Sequence, residues 1–185
     1  MKVHHFQRYH SKEIIPTANT LLLLSKLYAF SPDKFFRFLK GSLLPADCNP
    51  EPDFTLHDEA IYCQPAATLL QPSYRISVET KLNNLFALPE LHKHFKVFRN
   101  EQYQILLTLG SSPLCKDISL EIQKALYSYN QENQKHIIHR DMTFTALLEA
   151  VGNVLTEADG SFYEVLKDYQ NYLISEHLVK IDYPQ

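Results

Sequence analysis

Tyr74-Arg75-Ile76-Ser77-Val78-Glu79-Thr80-Lys81 is the stretch on which the fold turns. It alternates with period 2, as a β-strand does. Tyr74, Ile76, Val78 and Thr80 fall on one face, and Arg75, Ser77, Glu79 and Lys81 on the other. Glu79 and Lys81 therefore point the same way, about 7 Å apart along the strand. Just upstream, Thr68 to Leu70 reads as a second strand, and Gln71-Pro72-Ser73 between the two is a turn sequence, so an antiparallel hairpin is predicted. Folded about Pro72, that hairpin sets Pro65 across from Glu79 and brings residue 66 or 67 beside it.

Working outward, the elements alternate. Leu88 to Phe98 is predicted as a helix, with Pro89 in its first turn. Tyr103 to Leu109 is a nearly continuous apolar run ended by Gly110, the pattern of a strand covered on both faces. Asp117 to Tyr129 is predicted as a helix, His136 to Arg140 as a short strand, and Thr143 to Leu155 and Phe162 to Ser175 as helices. Upstream, residues 45–53 form a Pro-rich loop. Thr20 to Tyr28 reads as a mostly buried helix. The next helix is marked by Ser31 as cap, Pro32 at the first position, Asp33 at the positive end and Gly41 as the stop. The expected class is α/β (α+β), a mixed sheet flanked by helices. The expected layout of residues 1–185 is one domain, with N-terminal helices over 1–44, a core over about 54–140 and C-terminal helices over about 143–176.

Composition narrows the function. The 185 residues include 18 Lys+Arg and 21 Asp+Glu, a net charge of −3, with 45% hydrophobic and 21% charged residues. That balance is globular, and a weakly acidic chain binds polyanions only through a local patch. The longest aliphatic run, Leu21 to Leu24, is far short of a membrane span, and the His-rich start lacks an apolar leader. Cys48, Cys63 and Cys115 are an odd set without a C-x-x-C pair, so reduced thiols are expected. The reading is a soluble cytoplasmic domain.

The Pro65 position followed by Val78-Glu79-Thr80-Lys81 on a hairpin resembles the PD-(D/E)XK nuclease superfamily, the restriction-endonuclease-like fold. Suitable elements run from about residue 54 to 140, with extra helices at both ends. One position departs: the acid that follows the proline in the family falls on Ala66, in Pro65-Ala66-Ala67-Thr68. The intact surroundings favour deliberate removal of the acid over a decayed relative. The resemblance implies Mg²⁺- or Mn²⁺-dependent hydrolysis of phosphodiester bonds. The absent acid at position 66 and Glu79 would hold the metal, with the carbonyl of Thr80 as a further ligand. Lys81 would orient the attacking water and stabilise charge on phosphorus. Glu13 is the candidate for the acid that many such folds place on the first helix. Lys93 and Lys96, one turn apart on the helix after the motif strand, are candidate phosphate contacts. DNA is expected ahead of RNA, no membrane is involved, and a homodimer is one way to supply the two sites that cutting both strands requires.

Blander readings stand beside these. E-x-K alone is common on exposed strand faces, and surface lysines are usually only solvated. With Ala66 the chain is expected to be inactive as written, and the alternative is a non-catalytic binding module of the same fold. The nine histidines lack zinc spacing: His92 and His94 diverge on a helix, and His136 and His139 on a strand. There is no Gly-rich phosphate loop and no G-x-S-x-G.

Overall fold

A computed structural model of the chain describes residue 6 and residues 14–47, 55–57, 67–70, 74–81 and 86–179. Pro65, Ala66, Glu13, Cys48 and Cys63 lie outside the described residues. Helices α1 (Ile14–Phe30) and α2 (Pro32–Ser42) precede strands β1 (Thr55–His57), β2 (Ala67–Leu70) and β3 (Tyr74–Lys81). Then come α3 (Leu88–Phe95), β4 (Tyr103–Gly110), α4 (Lys116–Asn133), β5 (Ile137–Thr143), α5 (Phe144–Gly152) and α6 (Gly160–Ser175), with a 3₁₀ turn at Glu157–Asp159 before α6.

The five strands form one mixed sheet in sequential order, β1-β2-β3-β4-β5. The first three are antiparallel neighbours, and β4 and β5 run parallel to β3. A right-handed crossover fixes the side on which its helix lies. Since β3, β4 and β5 step across the sheet in one direction, α3 and α4 fall on the same face.

That face is closed by a small apolar cluster of Leu91, Phe95, Phe98, Leu106, Ile122 and Ile137. The opposite face carries the larger core. There Ile76, Val78, Ile105, Leu107 and Leu109 of the sheet meet Leu23 and Leu27 of α1, Phe35 and Leu39 of α2, Phe144 and Val151 of α5, and Tyr169 and Leu173 of α6. The N- and C-terminal helices thus share one core behind the sheet. The result is three layers in the mixed α+β class. Among the described residues no helix is long and apolar enough to cross a membrane.

Four expectations are corrected. The hairpin register is offset by one residue: Leu70 pairs with Arg75 and Ala67 with Val78, where a fold about Pro72 would pair Leu70 with Tyr74. A one-residue shift changes which residues share a face, so the placement of Pro65 opposite Glu79 does not follow. Strand β1 was not anticipated, being three residues long and flanked by the Pro-rich loop. Gly41 does not stop α2, which continues to Ser42 and is closed by the Leu43 N–H donating to Leu39 O. Finally, α3 ends at Phe95, three residues short of the predicted end.

Candidate functional site at the carboxyl end of β3

The polar face of β3 is not an exposed surface. Arg75 and Ser77 are buried, and the side chains of Glu79 and Lys81 keep only 13% and 14% of their exposure. Burying such a row is costly unless each member finds a partner. The partners come from α3 and the segment after it. Arg75 pairs with Glu101 at 2.8 Å and also donates to the Val97 carbonyl. Ser77 Oγ lies 2.8 Å from His94 Nδ1, and His94 Nε2 lies 2.9 Å from Glu79 Oε2. The other Glu79 oxygen, Oε1, is 3.2 Å from Lys81 Nζ, and that ammonium is 2.8 Å from Glu90 Oε2.

A single chain of contacts therefore runs Ser77, His94, Glu79, Lys81, Glu90. An ionised carboxylate only accepts hydrogen bonds, so His94 Nε2 carries the hydrogen facing Glu79. In the neutral ring Nδ1 then accepts from the Ser77 hydroxyl. Burial pushes the Glu79 carboxyl up, but the His94 hydrogen bond and electrostatic attraction, together with the charge and hydrogen bond of Lys81, outweigh it and hold the group below its ordinary value. Burial likewise pushes the Lys81 ammonium down, and its bonds to Glu90 and Glu79 more than reverse that, so it is held above its ordinary value. Both groups are charged at neutral pH.

Ser77, His94 and Glu79 have the composition of a nucleophilic triad, but Ser77 is wholly buried and no carbonyl substrate can reach it. The chain serves instead to hold the Glu79 carboxylate in one orientation. Thr80 faces the other way. Its hydroxyl bonds Thr17 of α1.

The parallel register extends the polar row sideways. Glu79 pairs with Thr108 of β4, and Thr108 with Asp141 of β5. Thr108 Oγ1 donates to Asp141 Oδ1 at 2.9 Å and lies 2.9 Å from His139 Nε2. The Leu114 N–H donates to the second Asp141 oxygen at 3.0 Å. Burial holds the His139 imidazole below its ordinary value. Nearby Asp141 works against that shift and Arg140 adds to it. The row lies toward the carboxyl ends of three parallel strands, the edge at which open α/β sheets bind ligands.

Glu79 and Lys81 are thus brought together. Lys93 and Lys96 are exposed on and just after α3 and take no part in the Glu79–Lys81 chain. Lys96 instead lines a groove of about 490 Å³ between α3 and α4, with His92, Ser128, Tyr129 and Glu132. The parts that sequence reading missed are His94 as the partner of Glu79, Glu90 as the partner of Lys81, and the Thr108–His139–Asp141 group. One signal was available: Glu90 and His94 are four apart on a helix and so share a face. Among the described residues no three His, Cys, Asp or Glu side chains are grouped to hold a metal ion by themselves. No family model, curated protein or solved structure matches the chain.

Proposed function

We propose that the chain is a nuclease-type domain of the PD-(D/E)XK kind, a metal-dependent hydrolase of phosphodiester bonds in nucleic acid, DNA ahead of RNA, in which Ala66 suppresses cutting. The observation that carries the reading is the Glu79–Lys81 pair, 3.2 Å apart at the carboxyl end of a strand with an antiparallel hairpin on one side and a parallel strand on the other. The helix–three strands–helix–strand order around it supports the same reading.

The donor set suits a hard divalent cation. Mg²⁺ takes oxygen ligands and is commonly held by one or two carboxylates together with waters and substrate phosphates. Glu79 offers one carboxylate, already oriented by His94, and Thr80 offers a backbone carbonyl. A bound cation would supply Lewis-acid stabilisation of the phosphoryl charge and acidify a water. Glu79 would hold the cation through a carboxylate whose orientation the Ser77–His94 chain fixes. Lys81, kept protonated by its carboxylate neighbours, presents N–H donors to the attacking water or to a phosphoryl oxygen. With a methyl group at position 66 one ligand is missing, and metal affinity and rate both fall.

A second reading is a binding module that does not cut. It is favoured by Ala66 itself, which offers no side-chain oxygen. Incubating the Ala66→Asp protein with DNA and RNA in Mg²⁺ or Mn²⁺ separates the two. Metal-dependent cleavage supports the nuclease. Retained nucleic-acid binding with no cleavage by either protein supports the module.

A further inference from the structure

The groove between α3 and α4 lies on the other side of α3 from the Glu79–Lys81 chain. At about 100° per residue, Glu90 and His94 share one face of the helix, and His92 and Lys96 share a face about 200° away. Lys93 falls between the two faces on the exposed side, while Leu91 and Phe95 are buried beneath. The groove, about 490 Å³, is within the size range of ligand sites. Each helix supplies one ring to it, His92 from α3 and Tyr129 from α4. Both rings pack on the buried ring of Phe95, with centroids 5.0 and 5.3 Å away, so they are set in place before anything binds. Lys96, Ser128 and Glu132 line the same space. Among the described residues neither Lys96 nor Glu132 makes an ion pair, and Lys93 makes none. Burial pushes the Tyr129 hydroxyl up, so it stays a neutral donor.

We infer that this groove binds one unpaired nucleotide of a nucleic-acid strand, its base against the Tyr129 and His92 rings and its phosphate on Lys96. The inference rests on nucleic acid as the proposed ligand, but not on a metal or on cutting. Every base has a π-face, so aromatic walls accept any sequence. Glu132 adds a preference. Its carboxylate only accepts hydrogen bonds, so it takes a base edge that presents an amino group, as cytosine N4 does, and disfavours thymine O4. In a chain of net charge −3, the two ammonium groups without ion pairs, Lys93 and Lys96, supply the local patch that phosphate attraction needs. The groove and the Glu79–Lys81 pair are one helix width apart, about 10 Å, with Lys93 on the way. A strand at Lys81 reaches the groove by passing over Lys93. A base stacked inside a duplex cannot enter, so the ligand has a single-stranded segment.

The test is fluorescence anisotropy of labelled oligodeoxycytidine and oligothymidine, each about eight nucleotides long, with the intact chain as it stands, in low salt with a chelator so that nothing is cut. The parent binds both, the cytidine strand more tightly. Tyr129→Leu keeps the apolar bulk and weakens binding of both at least fivefold, the lower end of what stacking one base is worth. Glu132→Gln abolishes the preference for cytidine, and Lys96→Met lowers the salt dependence by about one phosphate contact. The chain has no Trp, so His92→Trp puts its one indole in the groove, where a stacked base quenches it. Thermal unfolding of each variant checks that the fold is retained. A parent that binds neither strand, a Tyr129→Leu protein that binds as the parent does, or an indole left unquenched overturns the inference. Equal quenching by cytidine monophosphate makes the groove a site for free nucleotides and overturns it too. Tyr129-dependent binding without cleavage, even by Ala66→Asp in Mg²⁺ or Mn²⁺, upholds the groove and defeats the nuclease reading. Cleavage by Ala66→Asp alongside an unquenched indole does the reverse.

Discussion

Replacing His94 with leucine separates a positioning role from simple packing. His94 is buried and makes two hydrogen bonds, one from the Ser77 hydroxyl and one to the Glu79 carboxylate. Leucine supplies comparable apolar bulk but leaves a wholly buried hydroxyl without an acceptor, at about 1–3 kcal/mol, and removes a charge-assisted bond of about 1.5–3 kcal/mol. These losses overlap, because the two bonds share one ring, and the expected net destabilisation is about 3 kcal/mol. With a urea slope of about 2 kcal/mol per molar, the midpoint falls by about 1.5 M. His94→Gln keeps a donor and an acceptor near the same places and costs about 1 kcal/mol. A second readout is the acid limb of stability. Because Glu79 titrates lower in the folded chain than its ordinary 4.5, it contributes stability that is present above that value and lost as the pH falls below it. Removing His94 shrinks the difference, so the slope of stability against pH below about 4.5 flattens in the leucine variant. Urea melts at pH 7 and at several acid pH values read both effects. Equal midpoints for His94→Leu and His94→Gln at pH 7, or an unchanged acid slope, would refute the role assigned to His94.

Two further outcomes are expected elsewhere in the fold. The Lys34 hydrogen bond, then the Thr156 N–H, hold the Asp159 carboxyl at about 2 against an ordinary 3.8, so this contribution is present above 3.8 and lost between 3.8 and about 2. Lys34→Met therefore moves acid unfolding, followed by circular dichroism, to higher pH, and an unchanged midpoint contradicts the assignment. The Thr143 hydroxyl accepts the Ala146 N–H at 3.0 Å and caps α5, so Thr143→Ala lowers stability by about 1 kcal/mol in a denaturant melt.

What was legible in the sequence was whatever local periodicity determines. The alternation from Tyr74 to Lys81 gave the limits of β3 without error, and the nearly continuous apolar run gave β4 and its burial on both sides. Ser31, Pro32 and Asp33 marked the start of α2 because capping is local chemistry. Its end was misjudged, since a glycine costs a helix only about 1 kcal/mol and packing of Phe38 and Leu39 outweighs that. The hairpin register depended on the backbone path through the turn, which the residue types at 71–73 do not specify. Glu79 and Lys81 were found because two residues on one strand face need no tertiary information. Their partners were not, because only the docking of α3 over the sheet brings Glu90 and His94 to them. For the same reason Asp141 entered the row only through the parallel pairing of β4 with β5.

The most direct test of the central claim is DNA cleavage in Mn²⁺ by Ala66→Asp, compared with the same protein also carrying Lys81→Ala. The account predicts metal-dependent nicking of a plasmid by the first and a loss of at least a hundredfold in rate for the second. No cleavage by Ala66→Asp, or cleavage that survives the loss of Lys81, would contradict it.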